Sequence, residues 1–241
     1  MDYIPVKETP FLKGKLSLFQ PEKGYRFAID SVLLANFVKL KPSEIAVEFG
    51  AGCGVISSIL LFKNKSAKVF AVEKEEVFLK CLKLSLQKNG FENRLLIIKA
   101  DFMAPPFKDN SVDVVFLNPP YFKTGAGRKS QNKIEEVARR GKKSDLVSWI
   151  KACSRVLKTG GKLFLIFTAL RLAELFFYLK SHKLEPKELR LVYSYPGSEA
   201  KLALIKCVKG AGEELRILPP LFIYEYKKGP YTLEVEKMLN G

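Results

Sequence analysis

The 241-residue sequence has a single histidine, His182, and four widely spaced cysteines, Cys53, Cys81, Cys153 and Cys207, none in a Cys-x-x-Cys pair. This scarcity leaves no cluster with zinc-ligand spacing, so no metal is expected. Cys53 has no histidine near it in sequence to act as a base, so it reads as a turn position and not as a nucleophile. His182 reads as a helix-end or surface residue. Long apolar runs are also missing: the stretch from Leu163 is broken by Arg171, well short of the roughly 20 residues a membrane span needs. Residues 1–10 carry Asp2, Lys7 and Glu8 where a secretory signal would be apolar, which points to a cytoplasmic protein without a membrane partner. Repeats, low-complexity tracts and linkers are absent. Acids are scarce too, 25 against 41 Lys and Arg, giving a formal charge of +16. Such an excess favours a polyanionic partner bound more weakly as salt rises. The competing explanation is a lysine-rich surface that serves solubility alone.

What is present suffices for one α/β domain, since 47% hydrophobic residues over this length can bury a full core. Apolar runs at 45–49, 68–72, 95–100, 112–117 and 162–168 read as strands. Helical patterns fall at 55–62, 75–89 and 144–157 and from Leu170 onward, with Gly90 as a stop signal. Residues 189–195 and 202–208 read as an antiparallel edge pair turning at Pro196-Gly197. Ahead of these, 16–19 and 25–28 look like a short hairpin around 21–24, followed by a helix capped by Asp30 or Ser31. The expected division is an N-terminal hairpin and cap helix at 1–40, belonging to the same domain as the main body at 41–241.

Polar residues collect where these strands end. The first runs into Gly50, Ala51, Gly52, Cys53 and Gly54, a turn whose glycines admit a ligand close to the backbone and whose following helix offers N–H groups to an anion. The second ends at Glu73, placed to accept hydrogen bonds from a ribose diol, and the third at Asp101-Phe102, suited to an adenine amino group and ring. A dinucleotide fingerprint is disfavoured, because starting at Gly50 it would need glycine at Val55, and starting at Gly52 it meets Ser57. The fourth strand leads into Asn118-Pro119-Pro120-Tyr121, at the edge where open α/β sheets bind ligands. An exocyclic amine on a planar base is a poor nucleophile because its lone pair is delocalised. Asn118 offers a side-chain oxygen to hold it, Pro119 a free carbonyl, Pro120 a stiff backbone and Tyr121 a stacking face.

This succession resembles the class I S-adenosylmethionine-dependent methyltransferases with an Asn-Pro-Pro-Tyr motif. Gln20 together with residues 24–35, which include Arg26, Asp30 and Ser31, is similar to the signature of the bacterial valine-tRNA adenine-N6 methyltransferases. So is the ending, 218–224 followed by Gly229-Pro230-Tyr231 and Glu234. The resemblance covers nearly the whole chain. It implies a Rossmann-like fold, a mostly parallel seven-stranded sheet with an antiparallel edge pair and helices on both faces. It also implies S-adenosylmethionine as cofactor, leaving as S-adenosylhomocysteine, held by Arg26, Asp30, Glu48, Gly50, Ala51, Gly52, Gly54, Glu73, Lys74, Asp101, Phe102 and Asn118. For Asp30, helix capping is an equal alternative. The chain departs from the family at Ala138-Arg139-Arg140-Gly141, where some members carry Ala-Arg-His-Glu, so any role of that histidine is absent.

The reading that follows is methyl transfer to N6 of an adenine in RNA, above all tRNA beside the anticodon, with the base flipped out of its stack. The basic residues Lys123, Arg128, Lys129, Lys133, Arg139, Arg140, Lys142 and Lys143 crowd the segment after Tyr121 and read as a basic loop at the site mouth that contacts RNA. Ribosomal RNA, DNA adenine and a protein glutamine amide pose the same electronic problem and stay open as substrates. So does an RNA-binding module without catalysis.

Overall fold

The computed structural model describes residues 5–22, 29–119 and 143–240. A hairpin of β1 (Val6–Phe11) and β2 (Leu16–Pro21) precedes α1 (Ile29–Phe37). The main body alternates β3 (Ala46–Phe49), α2 (Val55–Lys63), β4 (Val69–Glu73), α3 (Glu76–Lys88), β5 (Leu95–Lys99) and β6 (Val112–Leu117). It continues with α4 (Lys143–Val156), β7 (Leu157–Thr168), α5 (Leu172–Ser181), β8 (Leu184–Tyr193) and β9 (Ala200–Lys209). The tail adds β10 (Arg216–Ile217), β11 (Leu221–Phe222) and α6 (Leu233–Asn240).

The sheet has nine strands among the described residues: seven form its body in the order β8-β9-β7-β6-β3-β4-β5, mostly parallel with an antiparallel edge as expected, and the two-residue β10 and β11 both add to the outer edge of β8. Strands β3 to β7 pair in parallel, whereas β9 runs antiparallel to both β7 and β8. The order reverses between β3 and β6, the topological switch point where the crossovers diverge and leave a crevice at the strand ends. All four residues of β3 are buried, as a central strand covered on both faces requires.

The strand alternation sorts side chains into two cores. Ala46, Val69, Val114, Phe116, Phe164 and Leu204 face a layer containing α1, α2, α3, the hairpin and α6. Val47, Val115, Leu117, Leu165 and Ile205 face α4 and α5, with Trp149 and Leu175 at the centre. The hairpin is fastened to the first layer by polar groups: Ser17 N–H donates to Asn89 Oδ1 (2.9 Å), Asn89 Nδ2 donates to Ser17 carbonyl (2.6 Å), and Phe19 N–H donates to Ser85 Oγ (2.9 Å).

Those bonds explain a departure from expectation. The partner of β2 is β1; 25–28, the partner expected from the sequence, lie outside the described residues. The other edge of β2 gives its N–H groups to α3, so no further strand has a ladder to join, and the chain reverses at 12–15, where Leu12, Lys13 and Gly14 all have positive φ. Asp30 and Ser31 lie within the first turn of α1, where helix capping had been expected of one of them. Strand β7 begins at Leu157, five residues earlier than its apolar run. Gly160 and Gly161 form a bulge between the pairs Val112–Leu157 and Val114–Lys162, and a Cβ at Gly161 would sit 2.8 Å from the Lys158 carbonyl. Strand β8 likewise starts before Leu189, because its Pro186 falls at a bulge where no ladder N–H is needed. Among the described residues no helix is long and apolar enough to cross a membrane.

Candidate active site

The turn after β3 is held from below. Gly50, Gly52 and Gly54 all have positive φ, and the Ala51 N–H donates to the Val72 carbonyl of β4 (3.0 Å). A Cβ at Gly52 would meet nothing within 4 Å, so the turn has open space above it, whereas at Gly54 it would come 2.4 Å from Leu82 Cδ2 of α3. Gly54 precedes α2 without a side-chain cap; the orphan N–H of Ser57 donates instead to Glu48 Oε2 (3.1 Å), as does its hydroxyl. Glu48 is 2% exposed, and these are its partners. Burial pushes its carboxyl up to about 8 against the pull of the two Ser57 bonds, so it is largely protonated at neutral pH.

Glu73, at the end of β4, faces the same turn. Its Oε2 accepts from Gly52 N–H (2.7 Å), and its Oε1 accepts from Lys74 N–H (2.7 Å) and Glu75 N–H (2.9 Å). Burial raises this carboxyl while the three N–H donors lower it, with burial prevailing. An ionised carboxylate has about four lone-pair sites, so at least one acceptor position remains for a ligand hydroxyl. Beyond β5, Asp101 Oδ1 accepts from Met103 N–H (3.0 Å), and Oδ2 forms an ion pair with Lys74 Nζ (3.2 Å). The Phe102 ring lies over Gly50, where a Cβ would approach it to 3.5 Å, and packs against Phe49 with centroids 6.0 Å apart. Glycine turn, Glu73, Lys74, Asp101 and Phe102 therefore share one side of the strand ends.

Asn118 follows β6 on the other side of the switch point. Its Nδ2 donates to Ser31 Oγ of α1 (3.2 Å), which fixes the plane of the amide; its Oδ1 is buried and has no partner among the described residues. An orphaned amide oxygen is destabilising unless something donates to it. The acceptor that an exocyclic amine needs is therefore held with its demand unmet. Pro119 is buried beside it, while Pro120, Tyr121 and the basic positions 123–142 lie outside the described residues, as does Arg26. Lys143 opens α4. Asp30 is buried at 8% exposure in the first turn of α1, adjacent to Ser31.

Cys53 is buried against Cys81, whose hydrogen bond raises its thiol well above the usual range, so it stays protonated. Among the described residues no group of three or more His, Cys, Asp or Glu could hold a metal. Ser31 is the residue that sequence reasoning missed as a partner of the site. The pairing spans 87 positions, and its only trace was that Ser31 falls within the conspicuous run 24–35.

Comparison with known proteins agrees with this geometry. The methyltransferase small domain family matches residues 26–176, more than half of the chain, and the chain belongs to it. It is an S-adenosylmethionine-dependent methyltransferase with the class I fold. A curated relative from Histophilus somni (strain 2336), named tRNA1(Val) (adenine(37)-N6)-methyltransferase, is 23% identical over 162 residues, 66% of this chain and 68% of its own. One of the same name from Porphyromonas gingivalis is 25% identical over 187 residues, 74% and 72% of the two chains. Among solved structures, a predicted O-methyltransferase from Agrobacterium tumefaciens superposes with a TM-score of 0.71 at 23% identity, covering 88% of this chain and 95% of that one. Geranyl diphosphate C-methyltransferase from Streptomyces coelicolor A3(2), solved with S-adenosyl-L-homocysteine, gives 0.56 at 13% identity, covering 73% and 78%.

Two outcomes follow from the buried polar groups. Because the folded state keeps a proton on Glu48 that the unfolded chain releases near the ordinary value of 4.5, this group's contribution makes stability fall as pH rises from about 4.5 to about 8. Glu48→Gln should flatten that slope, by up to ~1.4 kcal/mol per pH unit, in denaturant titrations between pH 5 and 8; an unchanged slope would mean that Glu48 is ionised in the fold. Ser31→Ala should lower kcat about tenfold, the effect of freeing one hydrogen-bonded amide, with the KM for S-adenosylmethionine unchanged and Ser31→Thr retaining most of the rate. Equal losses in kcat and cofactor affinity would assign Ser31 to general packing.

Proposed function

We propose that the protein transfers the methyl group of S-adenosylmethionine to the exocyclic N6 of an adenine in RNA, with tRNA beside the anticodon as substrate. The observation that carries the reading is the buried Asn118 oxygen, without a partner among the described residues and fixed by Ser31 at the carboxyl end of β6, within Asn-Pro-Pro-Tyr. The names of the curated relatives support the adenine and the tRNA.

In this reading the residues divide by side. The turn of Gly50, Ala51, Gly52 and Gly54 receives the amino-acid end of the cofactor, and Glu73 with Lys74 the ribose. Asp101 and Phe102 take its adenine, with Arg26 and Asp30 closing the site from the N-terminal segment. Glu48 supports the same end of the cofactor by holding the first turn of α2 through Ser57. When bound, the cofactor supplies an electrophilic methyl on a sulfonium. The target adenine must leave its stack to reach it. Asn118 Oδ1 and the Pro119 carbonyl then accept from the amine and hold its lone pair toward the methyl, while Tyr121 stacks on the ring. Positioning carries most of the acceleration, since the leaving group is already activated. Lys123, Arg128, Lys129, Lys133, Arg139, Arg140, Lys142 and Lys143 contact RNA phosphates. The N-terminal hairpin and α1 at 1–40 work as part of the same domain, since α1 carries Ser31 to Asn118.

The direct test treats total RNA from a strain lacking the gene with enzyme and isotope-labelled S-adenosylmethionine, then locates label by nuclease digestion and mass spectrometry. Label in N6-methyladenosine of tRNA is expected; RNA left unlabelled, or labelled only outside tRNA, overturns the reading. Asn118→Ala should bind cofactor normally and lose at least ~100-fold in transfer, the scale of a missing transition-state contact. Turnover within a few-fold of wild type would remove Asn118 from the amine site. Reversing Arg128, Lys129, Arg139 and Arg140 to glutamate should weaken RNA binding and lower the log–log salt slope by ~0.7 to 0.9 for each lost contact. Filter binding over a salt series checks this, and a wild-type slope would leave those charges to solubility.

A further inference from the structure

The carboxyl edge of the sheet extends past Asn118 to a cluster of aromatic rings that the site does not use. Because β9 is antiparallel to both β7 and β8, β8 runs in the same direction as β6 and β7, and its last residue, Tyr193, lies on the same edge as Leu117. Strand β11 pairs in parallel with the end of β8, Phe222 opposite Tyr193 with ring centroids 5.4 Å apart, and continues outward along that edge. There the tail folds back on itself. Tyr224 bridges Tyr231, the Glu225 N–H donates to the Pro230 carbonyl (3.0 Å), and the two tyrosine rings stack at 5.1 Å with planes 15° apart.

At the tip sits Tyr226, 63% exposed. A Cβ at Gly229 would come 2.9 Å from its ring, so glycine there lets the backbone back one side of the tyrosine while the rest faces solvent. Lys227 and Lys228 beside it are exposed, and neither forms an ion pair among the described residues. Exposed rings of this size interleaved with free lysines suit bases and phosphates together. Within the hairpin Glu225 is the one acid against the two lysines, and Glu234 beyond it is engaged with Arg190 (2.6 Å). The hairpin is also tied to the site, since it leads into α6, whose Val235 is buried in the same core as Val32 of α1, the helix that presents Ser31 to Asn118.

We propose that the 224–231 hairpin is a docking surface for the single-stranded RNA that flanks the target adenine, with Tyr226 stacking on a base and Lys227 and Lys228 contacting phosphates. The inference rests on the proposed adenine methylation of RNA and deepens it. From β6 to β11 is four strand spacings, about 19 Å, a span that a few nucleotides of an extended strand cover. The net charge of +16 favours this occupant over an acidic-poor protein surface.

The test uses the full chain and total tRNA from a strain lacking the gene, measuring tRNA KM, kcat at saturating tRNA, and S-adenosylmethionine affinity by calorimetry. Tyr226→Ala should raise the KM about tenfold, the scale of one lost base–aromatic stack, and leave kcat and cofactor affinity unchanged. Tyr226→Phe, which keeps the ring, should stay within about twofold of wild type. Lys227→Glu with Lys228→Glu should raise the KM and lower the salt slope of binding by ~0.7 per contact. If wild-type enzyme methylates tRNA and both the Tyr226→Ala and the double lysine variants keep its KM, the surface is not an RNA site, while the proposed function stands. Equal KM increases for Tyr226→Ala and Tyr226→Phe would overturn stacking. A wild-type enzyme that methylates no RNA overturns both readings.

Discussion

The Glu73 carboxylate accepts three backbone N–H groups, one from the turn after β3 and two from the step between β4 and α3. Each of those N–H groups would otherwise lack a partner at a crowded strand end, and the carboxylate would be an uncompensated charge in a buried place. Neither is tolerable alone; together they hold the backbone of two adjacent crossovers in register. Much of the cofactor side depends on this. Gly52 keeps its left-handed conformation with its N–H pinned to β4's last residue, Gly50 turns upward beneath Phe102, and Gly54 fits against Leu82. Glu48 does the parallel task one strand earlier, serving as an internal cap for α2.

The two carboxylates differ in how they survive burial. Glu73 retains backbone donors on both oxygens, so its negative charge is supported where a ligand hydroxyl could also donate. Glu48 has one polar residue, Ser57, and a surrounding of apolar side chains, which favours the neutral acid. The charge of Glu73 across the glycine turn adds to the rise at Glu48, and a neutral Glu48 avoids that repulsion. The two acids are separated by environment, although both stand at or near a strand terminus next to the same loop.

The succession of Gly50, Glu73, Asp101 and Asn118 was legible in the sequence because buried parallel strands are continuous apolar runs, and the first polar residue after each run marks the ligand edge. What escaped depends on partners distant along the chain. The hairpin's true register is set by Ser85 and Asn89 of α3 occupying one edge of β2, and nothing local to 16–28 announces it. Pro186 and the Gly160-Gly161 bulge hid the beginnings of two strands, since each breaks the pattern by which a strand is recognised. The bond from Asn118 to Ser31 joins residues that share no periodicity, and β10 and β11 are two-residue strands too short to show any. Among the residues the resemblance assigned to the cofactor, Glu48 gave no sign of its protonation or of its bond to Ser57, because burial, which decides the first, is a property of the assembled core.

The switch point between β3 and β6 divides the edge into two halves built by different means. Around the glycine turn, Gly50, Gly52, Glu73, Lys74, Asp101 and Phe102 each come from a strand end or the turn directly after it, so their geometry follows from the sheet. On the substrate side, the amide plane of Asn118 is set by α1, and α1 is held by residues from both ends of the chain, Leu18 of the hairpin and Val235 of α6 lying in the same core cluster. In the proposed reading, the terminal elements that complete the core also border the incoming substrate.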